Sequence, residues 1–529
     1  GTASGAASVA IGKVSKATDS SATAVGDGTS ALGQGATALG SNATAKNGFD
    51  LAVGRSVTSE GGAATVVGYN SNVKGNQSIG MGSTINITSQ KATGVGYQVD
   101  VSGKNAIAIG SSNDSTHVTA SGESALALGT SARATNTNAE AIGSNANASG
   151  SDSIAMGTST LADSEKAIAI GANSKAKNIG ATAVGRDTEA SGASATAVGA
   201  LSIANATSAA ALGMQAKATQ ESAIAIGNTA SAAALNSTVI GKGANVTAPV
   251  AGTTLGGQDS IAMGTGASAN QHSSVTIGAG STSDGVRNIT IGPKASASGV
   301  DSIAIGNGGV GGDKNNTGFG GNGNTYTINV NDISTNVYYG VKSVDDGSIA
   351  FGNRANAAKG GLAIGTVSIA DGGIAVGQSV LSKNGVAIGS AVSATVANAV
   401  AMGSKAEASS VGAVAIGGYS TTDKTKAQGN NALAIGASAV TNGSETIAIG
   451  KSANASNANA VAVGKNAKAS IANSVAIGSD STTDTNATNQ SSATINGITY
   501  NFAGATSDTG MQVSVGATGK ERQIGRAHV

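Results

Sequence analysis

The chain has 529 residues, 80 of them glycine, with 2% aromatic and 11% charged residues, two prolines and no cysteine. Seven Tyr, four Phe and no Trp cannot fill one deep core, yet 40% hydrophobic content is too apolar for a disordered linker. Thirty basic against 29 acidic side chains set up no field that favours nucleic acid or an anionic membrane, and neither a disulfide framework nor a Cys nucleophile is available.

What remains is a thin structure built by repetition. The motif apolar-Ala-apolar-Gly first appears at Val9-Ala10-Ile11-Gly12, and its glycines recur at 26, 40, 54, 68, 82, 96 and 110, 14 residues apart each time. The same spacing holds from Gly129 to Gly241 and from Gly264 to Gly306. Within a unit the period is 2: in Ala106-Ile107-Ala108-Ile109-Gly110 the isoleucines alternate with alanines. A second alternation follows three to five positions after the glycine, as in Ala146-Asn147-Ala148, Ala216-Lys217-Ala218 and Ala467-Lys468-Ala469. Ser, Asn, Gly and Asp fill the remainder, which is turn chemistry.

Each unit therefore reads as two short strands and two turns, one coil of a parallel solenoid. The expected core sets large Val or Ile of the first strand, such as Ile107 and Ile109, against small Ala or Ser of the second. On that reading Ala108 points outward, and outward alanines form a flat apolar stripe that suggests homo-oligomerisation. The motif glycine is expected at a positive φ or a close backbone approach.

Interruptions come next along the chain. Spacing rises to 19 between Gly110 and Gly129 and between Gly417 and Gly436, as if a turn had gained five residues, and falls to 13, 12 and 12 from Gly352 to Gly389. Residues 307–347 carry Thr325-Tyr326-Thr327-Ile328-Asn329-Val330 and Asn336-Val337-Tyr338-Tyr339. Residues 479–513 carry Ala493 to Phe502 around a hairpin-like Asn496-Gly497. Both read as small β excursions, with their aromatics expected to pack against the roll because an isolated hairpin needs such support. The competing reading is a protruding ligand-binding loop.

The 14-residue unit, with Ser-Val-Ala-Ile-Gly at 8–12 and 474–478, resembles the YadA-like head of trimeric autotransporter adhesins. The resemblance implies an all-β, left-handed parallel β-roll (solenoid), homotrimeric, belonging to an exported, outer-membrane-anchored fibre. The excursions are similar to that family's head insertions. Val513-Ser514-Val515-Gly516 followed by Gly519-Lys520-Glu521-Arg522-Gln523-Ile524 is similar to its neck. The organisation that follows is roll repeats over 1–306, an insertion over 307–347, roll repeats over 348–478, a second insertion over 479–513 and the start of a neck over 514–523. Residues 524–529 depart from the neck pattern and resemble a translated sequencing adapter. The first residue is Gly1 rather than Met, so an N-terminal part is expected to be missing, as are stalk and membrane anchor.

Rival chemistries have little support. His117 and His272 are scattered and read as solvated turn residues, and His528 falls in the adapter-like segment, so no catalytic, cofactor or metal site is assigned. Gly306-Asn307-Gly308-Gly309-Val310-Gly311 matches a dinucleotide fingerprint without its helix, and Gly450-Lys451-Ser452 ends like a P-loop that has Glu445 in place of its first glycine. Gly308 to Asp313 resembles a single calcium nonapeptide, which needs stacked copies. Triplets such as Asn42-Ala43-Thr44 and Asn205-Ala206-Thr207 follow from composition. An acyltransferase-type β-helix uses six-residue repeats, against the 14 here.

The function expected is an adhesive head that attaches to host cells or to matrix proteins such as collagen, fibronectin or laminin, or that mediates autoaggregation and biofilm formation. The alternative is a structural spacer within the fibre. Asn147, Lys217 and Lys468, in the middle of the second strand, are the positions through which a repeated face would bind, with plain solvation the simpler reading for each alone.

Overall fold

The computed structural model describes residues 1–112, 116–248, 256–306, 345–418, 422–487, 490–502 and 511–522, with the backbone of 325–330, 333–338 and 342–343. Among them there is no helix: the chain is an all-β parallel solenoid of about 30 coils, in two compact units, Gly1–Asp259 and Ser260–Val529.

From Leu126 onward the first unit alternates three-residue and two-residue strands, while earlier motif strands run to five residues and Ile79–Ile87 and Thr93–Val101 are continuous over nine. Ile154–Met156 pairs in parallel with Ile168–Ile170, putting Ala155 opposite Ala169 and Met156 opposite Ile170, while Leu161–Ala162 pairs with Lys175–Ala176. Backbone hydrogen bonds run from coil to coil, as from Ile154 N to Ala167 O (2.9 Å) and from Gly157 N to Ile142 O (2.8 Å). Like residues stack on like residues because each coil repeats the register of the last.

The faces are the reverse of those expected from the sequence. Ala106 and Ala108 are completely buried, whereas Ile107 and Ile109 are 39% and 37% exposed. The second-strand alanines do point inward, with Ala146, Ala148, Ala216, Ala218, Ala467 and Ala469 all buried. Size explains the inversion. Ordinary sheets carrying large side chains pack about 10 Å apart, but here small side chains of both strands face each other across the coil. In most coils methyl and hydroxyl groups fill the interior, and the branched side chains of the motif strand are turned out.

Where the isoleucines Ile85 and Ile87 enter, the opposite strand gives way. Val73, Ile85, Ile87, Val99 and Val101 are buried, and there the motif alanine is replaced by Gly80 and Gly94. A Cβ on Gly80 would stand 2.6 Å from Val73 Cγ2, and one on Gly94 would stand 3.2 Å from Ile85 Cγ2. At these coils a glycine on one strand offsets the larger side chains of the other.

Both turns of a coil use the left-handed backbone region. From Asn138 onward one such residue appears every seven positions, at Asn145, Asp152, Ser159, Lys166 and Asn173, with φ of 55–58°. Each coil is thus two seven-residue halves. The motif glycine is a separate feature: Gly54 has φ +136°, and a Cβ on it would collide with the carbonyl of Gly68 in the next coil.

Inward hydroxyls satisfy the turns. Ser153 Oγ donates to Gly150 O (2.6 Å), Thr160 Oγ1 to Gly157 O (3.0 Å) and Ser202 Oγ to Gly199 O (2.8 Å). Asp50, buried in the same kind of position, accepts from Asn47 N (2.9 Å) and Ala64 N (3.0 Å), tying two coils together.

The second unit repeats the plan with more polar filling. The side-chain oxygens of Ser260, Ser274 and Asn288 each accept the backbone N–H one coil further on, from Ser274 (2.9 Å), Asn288 (3.4 Å) and Ser302 (3.0 Å). Ser283 Oγ sits 2.7 Å from both Thr276 Oγ1 and Thr290 Oγ1, a buried hydroxyl chain. Changes of coil length leave register untouched. Ile349, Leu362, Ile374 and Val386 stack in succession through the shortened coils, and Val414 pairs with Leu433 across a lengthened one. In the first unit Ile107 likewise pairs with Leu126.

Two antiparallel hairpins interrupt the roll. Thr325–Val330 pairs with Ile333–Tyr338, and Ser492–Ile495 pairs with Ile498–Asn501. Lys342–Ser343 already pairs with Ser296–Ala297 and Asn356–Ala357, so the roll reaches into the segment expected to be inserted. In the second hairpin Asn496 (φ 51°) and Gly497 (φ 82°) form the tight turn that Asn-Gly favours. Its side chains do not pack as expected: Tyr500 and Phe502 are exposed, as are Ile495 and Ile498. The strands are too short for their apolar face to fold back onto themselves, and the roll does not cover it.

Candidate interaction surface

Turning the branched side chains outward builds the main surface feature. The residue just before each motif glycine is apolar in coil after coil, and it is exposed at Ile109, Leu128, Met156, Val198, Leu212 and Ile226 in the first unit. In the second unit the same holds at Met263, Ile277, Phe351, Met402, Ile416 and Ile477. Parallel register stacks these side chains into a ladder, so each unit carries an apolar face along the motif strand. Apolar surface this continuous is rare on a monomer and marks an interaction site. The expected apolar stripe exists, but isoleucine, valine, leucine and methionine form it rather than alanine.

The second strand presents the opposite character. Its outward position holds Arg133, Asn147, Leu161, Lys175, Glu189, Ile203 and Lys217 in consecutive coils. Asn147 is half-buried between Arg133 and Leu161, and Lys217 is exposed between Ile203 and Ser231. Lys468, also exposed, pairs with Asp484 at 3.2 Å. Asn147 and Lys217 share a column of the first unit several coils apart, and Lys468 holds the corresponding outward position in the second unit.

Polar pairs one coil apart line the corners. Asn138 Nδ2 donates to Asp152 Oδ1 (2.9 Å), Asn173 to Asp187 (2.9 Å) and Asn466 to Asp480 (2.8 Å). Arg287 grips Asp301 with two hydrogen bonds, Nε to Oδ1 at 2.6 Å and Nη2 to Oδ2 at 2.8 Å. These donors hold the Asp301 carboxyl below the usual carboxylate range, and the Asn466 amide does the same for Asp480. Such contacts fasten coil to coil at the surface, where each contributes little to stability.

The residues weighed for other chemistries are dispersed. His117 Nδ1 lies 2.6 Å from Asp100 Oδ2 at the surface, and the His272 ring nitrogen Nδ1 lies 3.4 Å from Ser273 Oγ. His528 and the glycine-rich stretch from Asn307 to Asp313 lie outside the described residues. In Gly450-Lys451-Ser452 the Ser452 N–H is donated to Ala437 O of the preceding coil (2.8 Å), which leaves no free amide cradle there for a phosphate. Asn42 occupies one left-handed corner. Among the described residues no three His, Cys, Asp or Glu side chains cluster as a metal would need, and no helix is long and apolar enough to cross a membrane.

The seven-residue recurrence of left-handed corners escapes the sequence reading. Asn, Ser and Asp favour it, but Lys166, Leu201 and Phe49 occupy it too, which blurs the signal.

The geometry defines a class: a repetitive parallel β-solenoid whose described coils carry an apolar face on the motif strand and a more polar face on the second strand. Comparison with known families specifies it further. The YadA head domain repeat (2 copies) matches residues 3–29, 24–45, 31–56, 120–139, 134–160, 162–188, 218–244, 256–281, 291–308, 397–420, 427–453 and 455–481. These matches take in about half of the chain, which belongs to the YadA head domain repeat family. Members are in kind adhesin-type heads of exported surface fibres. No curated protein matches the chain.

Proposed function

We propose that this chain is the adhesive head of a bacterial surface fibre, displayed from the outer membrane as a homotrimer. The observation that carries the reading is the apolar face on the motif strand, present in both units of a chain from this family. Three copies meeting along it would remove the branched side chains from water, at roughly 25 cal/mol for each Å² of apolar surface. The second strands would then face outward, presenting Asn147, Lys217, Lys468 and their counterparts in every coil. Weak contacts repeated along three chains add through avidity. The ligand class that suits such a repeated face is itself extended and repetitive: matrix proteins such as collagen, fibronectin or laminin, a host-cell surface, or the same fibre on another cell. In this arrangement 1–306 and 348–478 supply the roll, 307–347 and 479–513 contain the excursions, and 514–523 begins a neck.

The test is light scattering on residues 1–523 fused to a trimeric coiled coil, followed by binding to surfaces coated with each matrix protein. A trimer that binds one of them supports the adhesive head. A trimer that binds none, and does not aggregate cells, points to a spacer. Strands that stay monomeric despite the fused trimeriser would overturn the three-chain roll.

A further inference from the structure

The hairpin Ser492–Asn501 presents a physical problem that its own chain leaves unsolved. Its register places Ala493 opposite Tyr500 and Ile495 opposite Ile498, all on one face. The other face carries Ser492, Thr494, Thr499 and Asn501, with the two threonine hydroxyls 3.0 Å apart. The hairpin is therefore amphipathic, and its apolar face lies open: Ile495, Ile498 and Tyr500 are 59%, 58% and 52% exposed. A two-stranded hairpin is at best marginal in water without something packed on it.

Both of its arms start from the last coils of the roll. Thr482 bridges to Lys468 on the way out, and Val513–Ser514 pairs with Val475–Ala476 on the way back. The apolar face of the roll is also open there, at Ile477 and Val513. From Thr482 to Ser492 and from Asn501 to Val513 the chain can extend about 30 Å at about 3.3 Å per residue. That is ample to cross to an adjacent roll. Residues 490–502 contain no charged side chain, so covering the hairpin desolvates no ion.

We propose that this hairpin is an intersubunit clasp: at the terminal coils its apolar face packs on the motif-strand face of a second copy of this chain around Ile477 and Val513, in place of the roll-to-roll contact made along the rest of the roll. Every copy carries both halves of the contact, side chains of the same chemistry at the same end of the roll. The inference rests on the reading of the chain as a trimer.

The experiment uses the full chain with a trimeric coiled coil appended and the photo-reactive residue p-benzoylphenylalanine in place of Tyr500, an aromatic exchange at an exposed site. Light scattering reads the assembly, and irradiation followed by a denaturing gel reads the contact. Trimers that yield covalent dimers, a band lost in the I495S/I498S background while the trimer mass is unchanged, are the expected result. Trimers with no interchain band, or with a band that survives both substitutions, overturn the clasp and leave the trimer standing. Monomers overturn both.

Discussion

Val73 and Gly80 face each other inside one coil, and Val73 Cγ2 would lie 2.6 Å from a Cβ placed on Gly80. The pair follows a local volume rule: where Val73, Ile85 and Ile87 enter the interior, the strand opposite carries glycine. Gly80→Ala is expected to destabilise the local coils by about 1–3 kcal/mol, as overpacking does. Combined with Val73→Ala, the cost should fall, because the two changes compensate. Amide exchange around residues 65–90 in the single and double variants measures the coupling, and purely additive losses would count against the volume rule.

Gly54 and Asn173 both have positive φ, but for different reasons. Gly54→Ala puts a Cβ onto the Gly68 carbonyl, so several kcal/mol of local destabilisation and loss of coil-to-coil protection are expected. Asn173, with φ 58°, sits in an ordinary left-handed corner, where Asn173→Gly should change stability by a few tenths of a kcal/mol. Thermal melts of the two variants rank the effects.

Asn288 is wholly buried and links three neighbours: it donates to Ala297 O (2.9 Å), accepts from Ser302 N (3.0 Å) and gives its own N–H to Ser274 Oγ. Asn288→Ala leaves the Ser302 N–H without its acceptor and should cost about 1–3 kcal/mol. Asn288→Ser restores an acceptor like those of Ser260 and Ser274, and should recover part of the loss. Exchange of the Ser302 amide reports both outcomes.

Asp301 titrates below the ordinary 3.8 because Arg287 binds its charged form. A lowered carboxyl contributes stability above its unfolded value, and that contribution disappears as pH falls through the folded value. Carbon-detected NMR titration should place Asp301 below the free-Asp range, and Arg287→Ala should return it there. Melting above pH 5 should barely change, since the pair is exposed.

Ile226 points outward, so Ile226→Asp should leave the isolated coil folded, with an unchanged circular dichroism spectrum. The same change places a carboxylate on the proposed subunit interface. A mass shifted from trimer towards monomer is expected, whereas Lys217→Ala on the polar strand should keep the trimer mass. Equal behaviour of the two variants would remove the apolar face from the assembly.

The repeat, its strands and its glycine can all be read from the sequence, because identical coils amplify a weak local signal. Which face is inside cannot be read from alternation alone: a period of two defines two faces and leaves their sense open. The usual preference for burying isoleucine then gives Ile107 and Ile109 the wrong side. Ala146 and Ala148 held the counter-evidence, since a second strand that is small inside limits what the first can bring. The corner residues were obscured by Lys166 and Leu201, and the hairpin by the assumption that its own chain would cover it. Asn147 and Lys217 in the first unit, and Lys468 in the second, sit at outward positions of second strands, as period-2 alternation implies, but repeated outward positions on separate coils make no pocket.

Ala155 pairs with Ala169, and Ala169 with Ala183, each contact repeating the one before. Excising the coil between them would set Ala155 against Ala183 with the same neighbours and the same backbone hydrogen bonds. A slip of the replication machinery by one coding unit therefore subtracts a coil without asking the rest of the protein to refold. Coil number becomes a quantity that heredity can adjust in small steps, largely independent of the chemistry of any single coil.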